Sequence, residues 1–203
     1  MQLEILSQSD SNTLNGLIQA ARNIVVCCHK SPDGDAIGSS LAWAEYLRQV
    51  GKEPLIIVPD AFPDFLRWLP GVEKVMRYDK HTAVCNARIA EADLIFCLDF
   101  NATNRVDDMQ QALETATAQR VVFDHHLNPQ IDARLLVSLP QMSSTCEIVF
   151  RIVWQLGGFE MFSRQAAIAV YCGMMTDTGG FTYNSTRQLP RSEERRVGKE
   201  CRS

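Results

Sequence analysis

Residues 124–126 read Asp-His-His and directly follow the apolar run Val121-Val122-Phe123. The chain has four histidines, so two adjacent ones behind an aspartate at a strand end single out this position. Imidazole and carboxylate are ligands suited to Mn, Zn or Fe. Other candidates also follow apolar runs. His29-Lys30-Ser31-Pro32-Asp33-Gly34-Asp35 comes after Asn23–Cys28, and Asp99 comes after Leu94–Leu98. Asp177 follows a helical segment further on. Three histidines (29, 125, 126) and five aspartates (33, 35, 99, 124, 177) are too many for one mononuclear site. Carboxylates crowded together repel one another unless cations lie between them. Two divalent ions about 3.5–4 Å apart would relieve that repulsion, and such pairs hydrolyse phosphoesters by sharing a hydroxide and neutralising the phosphoryl oxygens. The glycine between Asp33 and Asp35 permits a tight loop from which two carboxylates can aim at adjacent ions.

Taken singly, these residues have plainer readings. Asp33-Gly34-Asp35 is an ordinary polar turn, Asp124-His125-His126 a surface loop, and Asp99 and Asp177 are helix caps or loop acids. Their placement after successive strands sets them apart, because open α/β sheets form their sites beyond the carboxyl ends of the strands. Gly38-Ser39-Ser40 is expected to open a helix whose first N–H groups could receive a phosphate. Arg105 could reach a substrate phosphate, and a surface salt bridge is the competing assignment. His81 reads as a solvated surface residue. Ser144 and Glu147 fit a capping box around Thr145-Cys146, with any contact to the site secondary. Phe62, Phe65 and Trp68 read as core or inter-lobe packing.

The elements that must position these residues alternate. Strands are expected at Asn23–Cys28, Pro54–Val58, Leu94–Leu98 and Arg120–Phe123. Helices are expected at Ser39–Val50, which stops at Gly51, at Val106–Ala118, from Ser144 to about Leu156, and at Ser163–Met175. Interleaved strands and helices predict an α/β fold with a mainly parallel sheet flanked by helices.

Composition agrees with a folded domain of 203 residues: 46% of them are hydrophobic and 22% charged. No run approaches the ~18 apolar residues of a membrane span. Met1-Gln2-Leu3-Glu4 does not resemble a signal peptide, so a cytoplasmic location without a membrane partner is expected. The seven cysteines are odd in number, lack a C-x-x-C pair and mostly lie in apolar runs, as reduced buried thiols do. The net charge is −4. Residues 187–203 carry six basic and three acidic groups, leaving 14 and 21 in residues 1–186. An acidic domain is a poor generic nucleic-acid binder, but it can act on phosphates once cations occupy its carboxylates.

The motifs run in a fixed order: H-x-x-P-D-G-D-A-I-G-S-S-L-A from His29, a strand-end Asp99, D-H-H at 124–126, S-S-T-x-E from Ser143, and D-T-G-x-F from Asp177. Over about residues 20–186 this resembles the DHH phosphoesterase superfamily. The superfamily includes RecJ-type exonucleases, family II pyrophosphatases, cyclic-dinucleotide phosphodiesterases and bifunctional oligoribonuclease/pAp phosphatases (nanoRNases). Asp177-Thr178-Gly179-Gly180-Phe181 and Asp124-His125-His126-Leu127-Asn128-Pro129 look most like the last branch. The resemblance implies that His29 and Asp33 hold a first metal, that Asp35, His125 and Asp177 hold a second, and that Asp99 bridges them. It implies that His126 contacts the scissile phosphate as an acid, with Asp124 orienting a histidine from behind. Mn2+ is the expected ion, with Mg2+ or Co2+ as alternatives. The implied substrates are short single-stranded RNA and 3′-phosphoadenosine 5′-phosphate. A cyclic-di-AMP or linear dinucleotide phosphodiesterase and a pyrophosphatase are the alternatives within the superfamily. The oligomeric state stays open, a homodimer among the options.

The same resemblance implies a C-terminal substrate-binding lobe of the DHHA1 type, and no segment here matches one. Residues 1–190 are therefore expected to form the catalytic domain alone, and a metal-binding fragment without turnover is the rival reading. Residues 191–203 (RSEERRVGKECRS) resemble translated adapter or vector sequence and are set apart as a non-native or disordered tail.

Overall fold

A computed structural model describes residues 3–182. The expected tail 191–203 and Cys201 lie outside them. Among the described residues, six strands form one sheet: β1 (Ile24–Cys27), β2 (Leu55–Val58), β3 (Met76–Arg77), β4 (Leu94–Leu98), β5 (Gln119–Asp124) and β6 (Leu135–Ser138). Six α-helices flank it: α1 (Gln8–Ala20), α2 (Gly34–Gln49), α3 (Tyr78–Glu91), α4 (Gln110–Thr115), α5 (Thr145–Gln155) and α6 (Arg164–Asp177). Every strand pairing is parallel, as the alternation of elements predicts.

The strands read as unbroken apolar runs because both faces of the sheet are covered. Ile24, Val26, Phe96 and Phe123 point to a face packed by α1, α2, α5 and α6. Val25, Cys27, Cys97 and Val122 point to the opposite face, under α3 and α4. Trp43 of α2 stands edge-on to Phe96 and Phe123, with ring centroids 5.1 and 5.0 Å away, and pins that helix to the sheet centre.

The strand order is β3-β2-β1-β4-β5-β6. The chain builds outward from β1 through β2 to β3, then returns to the other side of β1 to lay down β4, β5 and β6. The connections leaving β1 and β4 therefore diverge, and the gap beyond their carboxyl ends is where parallel sheets of this kind bind ligands. His29 and Asp99 lie at that gap.

Three boundaries differ from the expectation. Helix α2 opens at Gly34, five residues before Ser39, because Asp33 caps it: its Oδ1 accepts from the backbone N–H groups of Asp35 and Ala36 at 2.9 and 3.0 Å. The helix expected over Val106–Ala118 is a 3-10 segment, Thr103–Met109, followed by the short α4. Asp107 has φ 50° and ψ −130° and breaks the helical run. Asp177 closes α6 as its last residue and does not follow it. Helices α1 and α3 and strands β3 and β6 were not expected.

The six described cysteines are all free, five of them buried. Burial is a leading reason the Cys28 and Cys146 thiols are pushed well above their ordinary range, which leaves them unreactive. No described helix is long and apolar enough to cross a membrane.

Candidate metal centre

The ends of β1, β4 and β5 deliver the first candidates. His29 stands two residues beyond β1, nearly buried. Its Nδ1 lies 2.7 Å from the carbonyl of Lys30, so that nitrogen carries the proton and Nε2 offers its lone pair. Nε2 faces Asp99 Oδ2 at 3.4 Å and Asp33 Oδ1 at 3.9 Å. Asp99 immediately follows β4 and adopts φ 65°, a left-handed conformation uncommon outside glycine. Its N–H donates to the carbonyl of Phe123 at 3.0 Å, which extends the pairing with β5 into this turn.

The other Asp99 oxygen faces a second group. His125 Nε2 lies 3.5 Å from Asp99 Oδ1, 3.5 Å from Asp177 Oδ2 and 3.9 Å from Asp35 Oδ2. These separations are too long for hydrogen bonds. They approach the spacing of atoms that share an ion, since ligands about 2.1 Å from one centre stand roughly 3–3.4 Å apart. Three trios could each hold an ion: His29, Asp33 and Asp99; Asp35, His125 and Asp177; and Asp99, His125 and His126. Asp99 belongs to two of them and turns a different oxygen toward His29 and toward His125.

His126 differs from its neighbour. Its Nδ1 lies 2.7 Å from Asp124 Oδ1. Asp124 is fully buried, and its other oxygen, Oδ2, has no hydrogen-bond partner. A carboxylate in that state is costly unless positive charge stands close by. The hydrogen bond to Asp124 raises the pKa of His126 against the opposing effect of burial. The positive charge of Arg105 also bears on His126 and lowers it, which puts the exposed Arg105 on this side of the site.

Electrostatics across the centre follow from burial without enough positive charge. Burial pushes the Asp35 carboxyl well above its ordinary range, and Asp99 adds to the effect. Burial also raises Asp177, with Asp99 and Asp33 adding to it and His125 opposing. Asp177 lies at the C-terminal end of α6, where the helix dipole disfavours an anion. Asp99 itself is buried, yet its facing histidines, His29 foremost, hold it below its usual value. Burial disfavours a charge on His29, and Asp99 outweighs it. Four carboxylates and two imidazoles around one gap, with Asp35 and Asp177 resisting ionisation, fit a pair of divalent cations.

Two further features hold the frame. Asp35 Oδ2 and Oδ1 accept the backbone N–H groups of Thr145 and Cys146 at 2.6 and 2.8 Å, and the Thr145 hydroxyl donates to Asp99 Oδ1 at 2.8 Å. The loops after β1, β4 and β5 are also tied together. Lys30 N–H donates to the Arg105 carbonyl at 2.7 Å, and Asn101 Nδ2 donates to the Leu127 carbonyl at 2.7 Å. The capping signal at Ser144 foretells the start of α5, but nothing local to it points to Asp35. Asn101 has no such signal at all.

Two expected substrate contacts are corrected. Gly38 and Ser39 lie in the second turn of α2 and do not open it. A Cβ at Gly38 would stand 2.5 Å from the carbonyl of Ala169, so this glycine lets α2 and α6 approach. Ser39 is fully buried, and its hydroxyl donates to the Ala36 carbonyl at 3.3 Å. Neither is placed to receive a phosphate at a helix N-terminus. The Glu147 carboxylate accepts from Ser143 and pairs with Arg151 at 2.6 Å, where the capping box led one to expect the Ser144 N–H. Phe65 and Trp68 are 60% and 62% exposed and do not belong to the core.

A bifunctional oligoribonuclease and PAP phosphatase, NrnA, of Thermus thermophilus is 31% identical over 174 residues, spanning 80% of this chain and 45% of the relative. A cyclic-di-AMP phosphodiesterase, PdeA, of Listeria monocytogenes is 27% identical over 180 residues, spanning 85% of this chain and 27% of the relative. The crystal structure of an exopolyphosphatase-related protein from Bacteroides fragilis superposes with a TM-score of 0.89 at 41% identity, covering 97% of this chain and 57% of that one. The chain thus spans about half the length, or less, of these relatives. Residues 23–174 match the N-terminal domain of the DHH family, and the chain belongs to that family.

Proposed function

We propose that this chain carries the two-metal centre of a hydrolase acting on short oligoribonucleotides and on 3′-phosphoadenosine 5′-phosphate. The DHH family is one of metal-dependent phosphoesterases. The observation that carries the finer reading is the pair of His/Asp clusters meeting at Asp99, one oxygen to each. His29 and Asp33 would hold one ion, Asp35, His125 and Asp177 the other, with Asp99 shared. Mn2+ suits this mixed imidazole and carboxylate set, with Mg2+ or Co2+ as alternatives. Two such ions lower the pKa of water and neutralise phosphoryl charge.

The chain's own groups do the rest. Asp124 accepts the hydrogen bond of His126 Nδ1–H and so holds the ring with Nε2 free, and in the protonated ring Nε2–H is the donor that can protonate a leaving oxygen. The same contact raises the pKa of His126 and so favours its protonated, donating form. Arg105, on the His126 side, offers a guanidinium to a substrate phosphate. The lone-pair nitrogen of His29 and the helix-capping carboxylate of Asp33 come from one short loop, so their geometry is set before any ligand arrives.

The test is a panel of short RNA, 3′-phosphoadenosine 5′-phosphate, cyclic-di-AMP and pyrophosphate with Mn2+, run on this chain and on a version extended by a substrate-binding lobe. Release of mononucleotides and of inorganic phosphate from the first two supports the reading. Hydrolysis of none of the four by the extended protein refutes it. The similarity to PdeA favours one second reading, a cyclic-dinucleotide phosphodiesterase, which preferential turnover of cyclic-di-AMP would establish. Equal rates with and without the extension would rule out an inert metal-binding fragment.

A further inference from the structure

Helix α5 starts where the two clusters meet, and its first residue touches both. Thr145 is completely buried. Its backbone N–H donates to Asp35 Oδ2 at 2.6 Å, and its hydroxyl donates to Asp99 Oδ1 at 2.8 Å. Those are the oxygens that face His125 Nε2, at 3.9 and 3.5 Å. Cys146 N–H occupies the other Asp35 oxygen at 2.8 Å.

We infer that Thr145 is a positioning residue for the metal centre: its hydroxyl fixes which oxygen of Asp99 is presented to the His125 side. The inference rests on the two-metal reading. A carboxylate free to rotate about its last bond can offer both oxygens to one ion or split them between two. The Thr145 hydroxyl takes one lone pair of Oδ1 and leaves the other directed at the His125 cluster, while Oδ2 stays with His29. The helix supplies the register. Ser144 caps α5 by accepting the Glu147 N–H at 3.1 Å, and the buried pair of Glu147 with Arg151 anchors the same turn. The N–H groups that this turn donates to Asp35 also favour its ionised form. Partners behind metal ligands commonly tune affinity by about 10–100-fold.

Thr145→Val keeps the shape and the backbone N–H and removes only the hydroxyl; Thr145→Ser keeps the hydroxyl. Calorimetric titration with Mn2+ alone reads both sites without any substrate, and circular dichroism of the metal-free proteins reads folding. The expected result is two binding events in the parent, with the event lost by Asp177→Asn weakened about 10–100-fold in Thr145→Val and restored in Thr145→Ser. A parent that binds two ions together with a Thr145→Val that matches it overturns this inference alone. A Thr145→Ser as weak as Thr145→Val does the same. A parent that binds no Mn2+ overturns the metal centre and this inference with it. If Thr145→Val unfolds, Thr145→Ala takes its place in the same titration and is judged by the same outcomes.

Discussion

The two halves of the centre are built differently. The His29 half is local: His29 and Asp33 are four residues apart on one loop, and the Asp33 side chain is 55% exposed. The Asp177 half is assembled from afar. Asp35 sits in the first turn of α2, His125 follows β5, and Asp177 ends α6, with Asp35 fully buried. The first half depends on a turn and a helix cap. The second depends on α2, α5 and α6 packing in one register, so it is the half that a distant substitution can dismantle.

Asp99→Ala should show the largest effect, because Asp99 is the one proposed ligand common to both halves. Both Mn2+ binding events should vanish in titration, and hydrolysis by a lobe-extended protein should fall to background. The contrast sharpens with single-half variants. Asp33→Asn should remove one binding event and Asp177→Asn the other, leaving its counterpart measurable. If Asp33→Asn abolishes both, the halves are not separable and the comparison fails.

Gly173→Ala tests the assembled half through packing. Gly173 lies in α6 where it meets α2. An added Cβ would collide with Cys146 Sγ of α5 and stand 3.0 Å from Asp35 Cα. Forcing a methyl into that contact should cost about 1–3 kcal/mol of stability, read by chemical unfolding. The displaced α6 and α2 should weaken the Mn2+ event that belongs to Asp177 and spare the one that belongs to Asp33. Equal weakening of both would show that the halves share one packing frame.

The same contrast decides what was legible in the sequence. His29 and Asp33 stand in one motif, and the apolar runs before Asp99 and Asp124 mark strand ends plainly, so the four central strands and one edge of the site could be read directly. Asp35 and Asp177 are separated by 142 positions, and only the resemblance to a family assigned them to the same ion. The start of α2 was misplaced because Gly34 and Asp35 look like turn residues; Asp33 capping overrides that preference. Helix α3 escaped notice because its first turn is polar and His81 (φ −134°, ψ 38°) breaks its period. Strand β6 is four residues long, and the connection from β5 reaches it without a helix. Gly38 was misread because a glycine required for helix contact and a glycine in a phosphate loop look alike until the partner helix is present. The hydroxyl of Thr145 was hidden for the same reason: its acceptor lies 46 residues away.

The smallest expected effect is thermal, and it separates the ligand-free centre from the loaded one. Without metal, Asp35 and Asp177 are raised first by burial, His126 is raised first by Asp124, and His29 is raised by Asp99 against burial. Each of these groups binds its proton more tightly folded than unfolded, so each contributes stability that is fully present below its ordinary value and is lost as pH rises through its raised one. Asp99 is lowered by the same histidines despite its burial. Its contribution is lost only as pH falls through a value below the ordinary carboxylate range, outside the neutral window. His29 and His126 are raised from an ordinary value of 6.5, so in EDTA the melting temperature should be higher at pH 6 than at pH 8, by about 2–4 °C for each kcal/mol in a domain of this size. Mn2+ should reverse the order, because ions compete with those protons for the same atoms and bind more weakly as pH falls. A melting temperature that rises with pH in EDTA would mean that Asp99 and Asp124 do not favour the charged forms of His29 and His126 as their contacts require. The His29 half, more open to water at Asp33, would then account for both behaviours, and the distinction between an exposed half and a buried one would carry no electrostatic weight.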